Sequence, residues 1–207
     1  MVERVILTGF EPFGPYEYNP VYDTTLKLHR QNFEGLEIYG LILPPSYYEA
    51  SELLFEKIKE FSPRIVLGTG LSSSINKIRF ESYGHNKMNG KYSDKMGRKP
   101  NNEEIITDGE IFYKTNVDNI ILAHHLDDIN IPTEVSVNAD YYICNSLIYL
   151  TSRNIQREDL QLKFAFFHTP WTDSYTKLID IPPEKKIIPQ EMLETAIRET
   201  FIKIREN

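Results

Sequence analysis

Strand-like and helix-like segments alternate along the chain, and this predicts an α/β sandwich with a largely parallel sheet. Three short strand candidates end in unusual loops, Thr8-Gly9-Phe10-Glu11-Pro12-Phe13-Gly14, Gly68-Thr69-Gly70-Leu71 and Phe167-His168-Thr169-Pro170. In parallel α/β sheets ligands bind beyond the carboxyl ends of strands, so these loops are expected to meet at one edge. A length of 207 residues without a composition break fits a single domain over residues 1–207.

The first strand is read at Arg4 to Thr8, followed by a loop from Gly9 to Pro20 rich in Gly, Pro and aromatics. Val21 to Gln31 reads as a helix, Leu36 to Leu43 as a strand closed by Pro44-Pro45, and Tyr47 to Phe61 as a helix with Leu53, Leu54 and Ile58 at helical spacing. Arg64 to Leu67 is a third strand meeting a turn at Gly68-Thr69-Gly70, and Lys77 to Phe80 alternates like a fourth. Gly84 to Asp108 is polar and lacks periodicity, which suits an active-site rim or lid. Helix Val117 to Asp128 and strand Thr133 to Val137 follow. A helix over Tyr141 to Thr151 has Asn138 and Asp140 as candidate N-caps. The strand Leu162 to Phe167 halts at His168-Thr169-Pro170, and a last helix covers about Gln190 to Ile204.

A formal net charge of −7 with no compact Lys/Arg block argues against nucleic acid, whose phosphates need a concentrated positive surface. No apolar run approaches the roughly 20 residues that span a bilayer. The N-terminus enters a strand without the apolar core of a secretory signal, so the expected compartment is the cytoplasm. A single cysteine fits that reducing setting.

That cysteine, Cys144, lies in the first turn of its predicted helix, where free amide N–H groups and the positive dipole end favour a thiolate. Position alone leaves two readings open, a nucleophile or a core residue beside Leu147, Ile148 and Thr151. His168 ends an apolar strand at the same predicted edge, which makes it a candidate base for the thiol. His124-His125 with Asp127-Asp128 reads as a solvated helix face, not a metal site, because adjacent helical residues diverge by about 100°. A histidine base needs a carboxylate to fix its tautomer. Glu81 is a candidate, its alternative being a surface acid paired with Arg79 or Lys77.

On these motifs the chain resembles the pyroglutamyl peptidase I family of cysteine peptidases. Thr8 to Gly14 followed by Asn19-Pro20 is similar to that family's opening signature, and Leu43-Pro44 to its Leu-Pro after the second strand. Ser136 to Asn145 resembles the nucleophile segment and Phe167-His168-Thr169-Pro170 the segment of the base. Glu81, 63 residues before Cys144, falls at the position of the orienting acid, and His168 falls 24 after it.

The resemblance implies an α/β/α sandwich that removes N-terminal pyroglutamate from peptides. Cys144 would attack, His168 would activate the thiol and protonate the leaving amine, and Glu81 would orient His168. Pyroglutamate is a neutral, flat lactam, so its recognition needs apolar walls and a few backbone hydrogen bonds. Phe10 and Phe13 would supply walls with Tyr142, Ile143 and Tyr92, and the backbone around Leu71 would hydrogen-bond the ring. The Cys144 N–H and Lys91 are candidate oxyanion stabilisers. No metal or organic cofactor is implied, and a homo-oligomer, dimer or tetramer, is.

Four departures from the family pattern bear on acyl preference and efficiency. Gly70-Leu71-Ser72-Ser73-Ser74-Ile75 lacks the family's arginine, Ser82 follows Glu81 in place of Arg, Lys91 stands where Arg is common, and Asp140 replaces Gly. A negative charge at Asp140 would oppose thiolate formation. Two other readings are a cysteine hydrolase with a different acyl preference and a non-catalytic binding protein that kept the fold.

Overall fold

The computed structural model describes residues 2–176 and 187–207. Among them, seven strands form one sheet in the order β2-β3-β1-β4-β9-β5-β8. They are β1 (Glu3–Phe10), β2 (Asn32–Phe33), β3 (Leu36–Leu43), β4 (Ile65–Leu71), β5 (Ile78–Glu81), β8 (Thr133–Ser136) and β9 (Lys163–Thr169). The centre, β3-β1-β4-β9, is parallel throughout. β5 runs antiparallel to β9 and parallel to β8, so the sheet is mixed at this side. β6 (Tyr83–His85) and β7 (Phe112–Lys114) make a separate antiparallel pair.

Helices cover both faces, as the alternation of side chains along each strand requires. Val5, Leu7, Leu67, Phe80, Ala165 and Phe167 share one core with residues of α1 (Pro20–Leu28), α3 (Asn119–Asp128) and α5 (Gln190–Glu206). Ile6, Val66, Phe164 and Phe166 point the other way, into a core with α2 (Glu49–Phe61) and α4 (Ile143–Arg157). The α1 helix lies so close to β1 that a methyl group at Gly9 would stand 2.4 Å from the Val21 carbonyl oxygen. Only glycine permits that approach.

Several boundaries differ from those read in the sequence. β4 continues through Gly68 and Gly70 to Leu71, because its residues stay paired to β9 as far as Thr169. Those glycines are strand residues, not a turn. β9 likewise runs past His168 to Thr169. The stretch from Gly84 to Asp108 is less irregular than its composition suggests: it begins in β6 and carries an antiparallel bridge between Met88 and Glu103. The α4 helix starts at Ile143 with Tyr142 at its N-cap and no side-chain cap. Asn138 and Asp140 therefore do not cap it; Asp140 instead takes a left-handed backbone conformation with φ of 56° in the approach to the helix.

Candidate active site

Parity along neighbouring strands assembles the site. His168 shares a strand face with Phe164 and Phe166, Gly70 is its register partner on β4, and Arg79 is its partner across the antiparallel β5. Glu81 lies two residues beyond Arg79 and so on the same face. The start of α4 packs over this face and brings in Cys144. A methyl group at Gly70 would stand 2.8 Å from Cys144 Sγ, 3.1 Å from Phe166 Cζ and 3.2 Å from His168 Cδ2. Thiol and imidazole thus converge over a strand residue that has no side chain.

The α4 helix follows a strand, but not one that ends at this edge. That strand, β8, is parallel to β5 and hence opposed to β9, so its end points away from the loop-bearing edge. The connecting residues 137–142 lie between β8 and α4 and carry the chain to the edge.

Glu81 is fully buried, and its Oε1 accepts hydrogen bonds from His168 Nδ1 and Arg79 Nε, each at 2.7 Å. Burial alone would raise the Glu81 pKa; the His168 hydrogen bond and charge, with the Arg79 guanidinium, hold it below the usual carboxylate range. The alternative of a surface Glu paired with Arg79 is half met, since the ion pair exists but at a buried carboxylate. Burial opposes the charge on His168, yet Cys144 and Glu81 more than offset this and push its pKa up to about 9. With Nδ1 committed to Glu81, Nε2 is the nitrogen left to serve the thiol.

Cys144, half-buried, and His168 open onto a cavity of about 460 Å³. Phe13, Leu71, Lys91, Tyr92 and Tyr142 line it, and Ser72, Ser73, Ser74 and Asp140 complete much of its polar rim. A smaller apolar recess beside Cys144 adds Phe10 and Ile143. All seven binding candidates read from the sequence therefore line one of the two recesses that Cys144 also lines. The rings of Phe13 and Tyr142 stand 6.1 Å apart, and Tyr47 packs edge-on to Tyr142. Burial, with the charges of Asp94 and Cys144, pushes the Tyr142 hydroxyl up to about 12, which keeps it a neutral donor. The Lys91 ammonium stands 5.3 Å from the Tyr92 ring centroid. Asp140 extends into solvent and lies 3.8 Å from Arg79 Nη2.

Three supporting residues have tasks that the sequence does not assign, although Asn19 and Asn145 stand in its motifs. Asn145 is fully buried; its Nδ2 donates to the His85 and Lys87 carbonyls and its Oδ1 accepts from the His85 N–H, all at 2.8 Å. This clamps the rim segment to the first turn of α4. Asn19 caps α1 and donates to the Phe10 carbonyl, fixing the aromatic loop. Asp94 accepts from the Tyr47, Met96 and Arg98 amides and so shapes the loop around Tyr92. Asn after Cys at a helix start was the one legible signal among them, because an amide in a buried first turn requires polar partners.

The parts define an α/β protein with a cysteine thiol beside a histidine that is hydrogen-bonded to a buried carboxylate. The pyroglutamyl peptidase family model matches residues 3–205, and the chain belongs to that family. A pyrrolidone-carboxylate peptidase of Thermosipho melanesiensis is 31% identical over 98% of this chain and 96% of its own. One from Saccharolobus solfataricus, pyrrolidone-carboxylate peptidase 1, is 32% identical over 94% and 89%. Among solved structures, the pyrrolidone carboxyl peptidase of Thermococcus litoralis superposes with a TM-score of 0.91 at 27% identity, covering 99% of this chain and 94% of the other.

Two outcomes are expected. Gly70→Ala places a methyl group against Sγ and both aromatic neighbours, and a displacement of about 1 Å at reacting groups costs about 100-fold; steady-state kinetics should show that loss with the global fold retained by circular dichroism. His168 has a folded pKa of about 9 against 6.5 for the free side chain, a raised value, so its contribution to stability is full below pH 6.5 and is lost as pH rises through about 9. Urea unfolding of the wild type should weaken across that interval more than unfolding of His168→Gln.

Proposed function

We propose that the chain removes N-terminal pyroglutamyl residues from peptides through Cys144, His168 and Glu81. The observation that carries this reading is the buried Glu81–His168 hydrogen bond with the Cys144 thiol converging on the same imidazole over Gly70, at the mouth of an aromatic-walled cavity. Family membership supports the acyl group; the cavity supports it independently, because Phe13, Tyr142 and Leu71 offer apolar surface to a neutral lactam. A planar ring stacked between Phe13 and Tyr142 needs about 7 Å between them, twice a 3.5 Å contact. Their centroids stand 6.1 Å apart with the planes tilted by 42°, so the walls must both part by about 1 Å and turn toward parallel.

In this mechanism Cys144 Sγ bonds to the pyroglutamyl carbonyl carbon, and the proton lost by the thiol resides on His168. As the C–N bond breaks, His168 Nε2 passes that proton to the departing amine, leaving a thioester. Water then attacks the thioester, His168 takes its proton, and release of free pyroglutamate restores the thiol. Glu81 stays ionised and keeps the imidazole in one tautomer. In this mechanism the amide of Cys144, in the first turn of α4, donates to the oxyanion, with Lys91 as the side-chain donor lining the same cavity.

The chain is further inferred to act in the cytoplasm on free peptides as a homo-oligomer, a dimer or tetramer. Among the described residues no helix is long and apolar enough to cross a membrane. Exposed Ile111, Phe112 and Val137 gather around His85, which packs on Phe112 and hydrogen-bonds the Val137 carbonyl; this is an apolar surface of the kind subunits cover.

A pyroglutamyl-arylamide should be hydrolysed under reducing conditions by the wild type, and Cys144→Ala should lower the rate by about 1,000-fold or more. Failure of the wild type to release arylamine sinks the proposal. The serine-lined stretch Ser72 to Ser74 motivates a panel of other acyl-arylamides, in which a better acyl group would establish the altered-specificity reading. Light scattering should give a mass of two or four times 24.2 kDa, and Ile111→Asp with Val137→Asp should lower it; a monomeric wild type would reject assembly.

A further inference from the structure

Among the described residues, Arg79 is the one cation paired with a member of the Cys144, His168 and Glu81 group. Its side chain is largely buried at 16% exposure, and the β5–β9 register sets it directly opposite His168. Nε donates to the same Glu81 oxygen that accepts from His168, so both lone-pair directions of Oε1 are filled. Nη2 faces Asp140 at 3.8 Å. Two carboxylates of the site therefore meet at one guanidinium.

We propose that Arg79 is a positioning residue for the His168–Glu81 pair: it fixes the carboxylate, offsets Asp140, and keeps the His168 imidazolium acidic enough to release its proton to the leaving amine. The argument follows the charge through one turnover. When His168 gives up its proton, Glu81 loses its charged partner while remaining fully buried, and an unpaired buried carboxylate is costly. Arg79 is permanently charged and stays in place throughout, so the carboxylate is never alone. The same cation weakens the pull of Glu81 and Asp140 on the His168 proton. Without it, two carboxylates would hold that proton with only Lys91 among the cavity cations to oppose them.

The groups facing His168 and Arg79 are known from each surrounding element. β5 supplies Glu81, the start of α4 supplies Cys144 with Tyr142 and Asp140 just before it, and the rim supplies Lys91. β8 supplies exposed Glu134, the register partner of Arg79. The Asp140 carboxylate, which by itself would disfavour an anionic sulfur, is thus met by a guanidinium on the adjoining strand. The inference rests on reading Cys144 and His168 as the reacting pair.

The test is an NMR titration of ring-labelled His168, assigned with His168→Gln, in the wild type, Arg79→Gln, Arg79→Lys and Arg79→Gln/Asp140→Asn. Arg79→Gln should move the His168 titration to higher pH by about half a unit or more, with arylamide kcat falling several-fold. Removing Asp140 as well should bring the titration back toward the wild type. A merely structural role predicts the opposite movement, because a loosened, hydrated site drifts down toward the free-histidine value of 6.5. An unmoved or lowered titration in Arg79→Gln overturns the proposal. Should Arg79→Gln fail to fold, Arg79→Lys decides: it keeps the charge and loses the planar fork, so the titration should stay near that of the wild type while kcat falls, and undiminished kcat overturns the positioning role. The titration requires no turnover. A shifted titration without pyroglutamyl hydrolysis would therefore overturn only the substrate assignment.

Discussion

Glu81 has no contact with solvent, and the working geometry of the site descends from how that buried charge is satisfied. A lone carboxylate at this depth would be neutral and would neither fix an imidazole tautomer nor stabilise its charged form. Two donors on one oxygen, from His168 and Arg79, keep it ionised. Both donors come from strands, and strands repeat every two residues, so the arrangement is as rigid as the sheet. Cys144 is the one of the three that arrives from a helix, and Gly70 is the residue that makes room for it.

Much of this was legible in the residues themselves. The alternation Phe164, Ala165, Phe166, Phe167, His168 fixes which face the histidine takes once Phe164 and Phe166 are assigned to the core beneath α4. The Gly70 region was misread because two glycines in four residues look like a turn; inside a sheet they record close approach by other side chains, and pairing to β9 overrides their weak strand preference. The start of α4 was misread because Asn and Asp favour N-caps, whereas Asp140 is committed to a left-handed bend two residues before the actual cap, Tyr142. The reversal of β5 and β8 left no local mark, since strand direction is decided by long-range pairing and not by composition. Arg79 was visible only as a possible surface partner for Glu81, because burial of the pair depends on what α4 and β9 bring from far along the chain.

The loops around the cavity show the same economy of means. Asn19, Asp94 and Asn145 each saturate a buried polar side chain with backbone groups of the loop they hold, so long irregular segments acquire the order of the secondary structure to which they are tied. The Lys95 ammonium adds an ion pair to Glu11 that links the rim loop to the aromatic loop.

Asn145 has a mechanical consequence for the rim. It follows Cys144 in sequence and grips the backbone of His85 and Lys87, just before the rim residues Asn89 to Tyr92. Those three hydrogen bonds tie the rim segment to the first turn of α4, so a load on the rim reaches the turn that carries the sulfur, and the cavity wall and the thiol beside it move as one body.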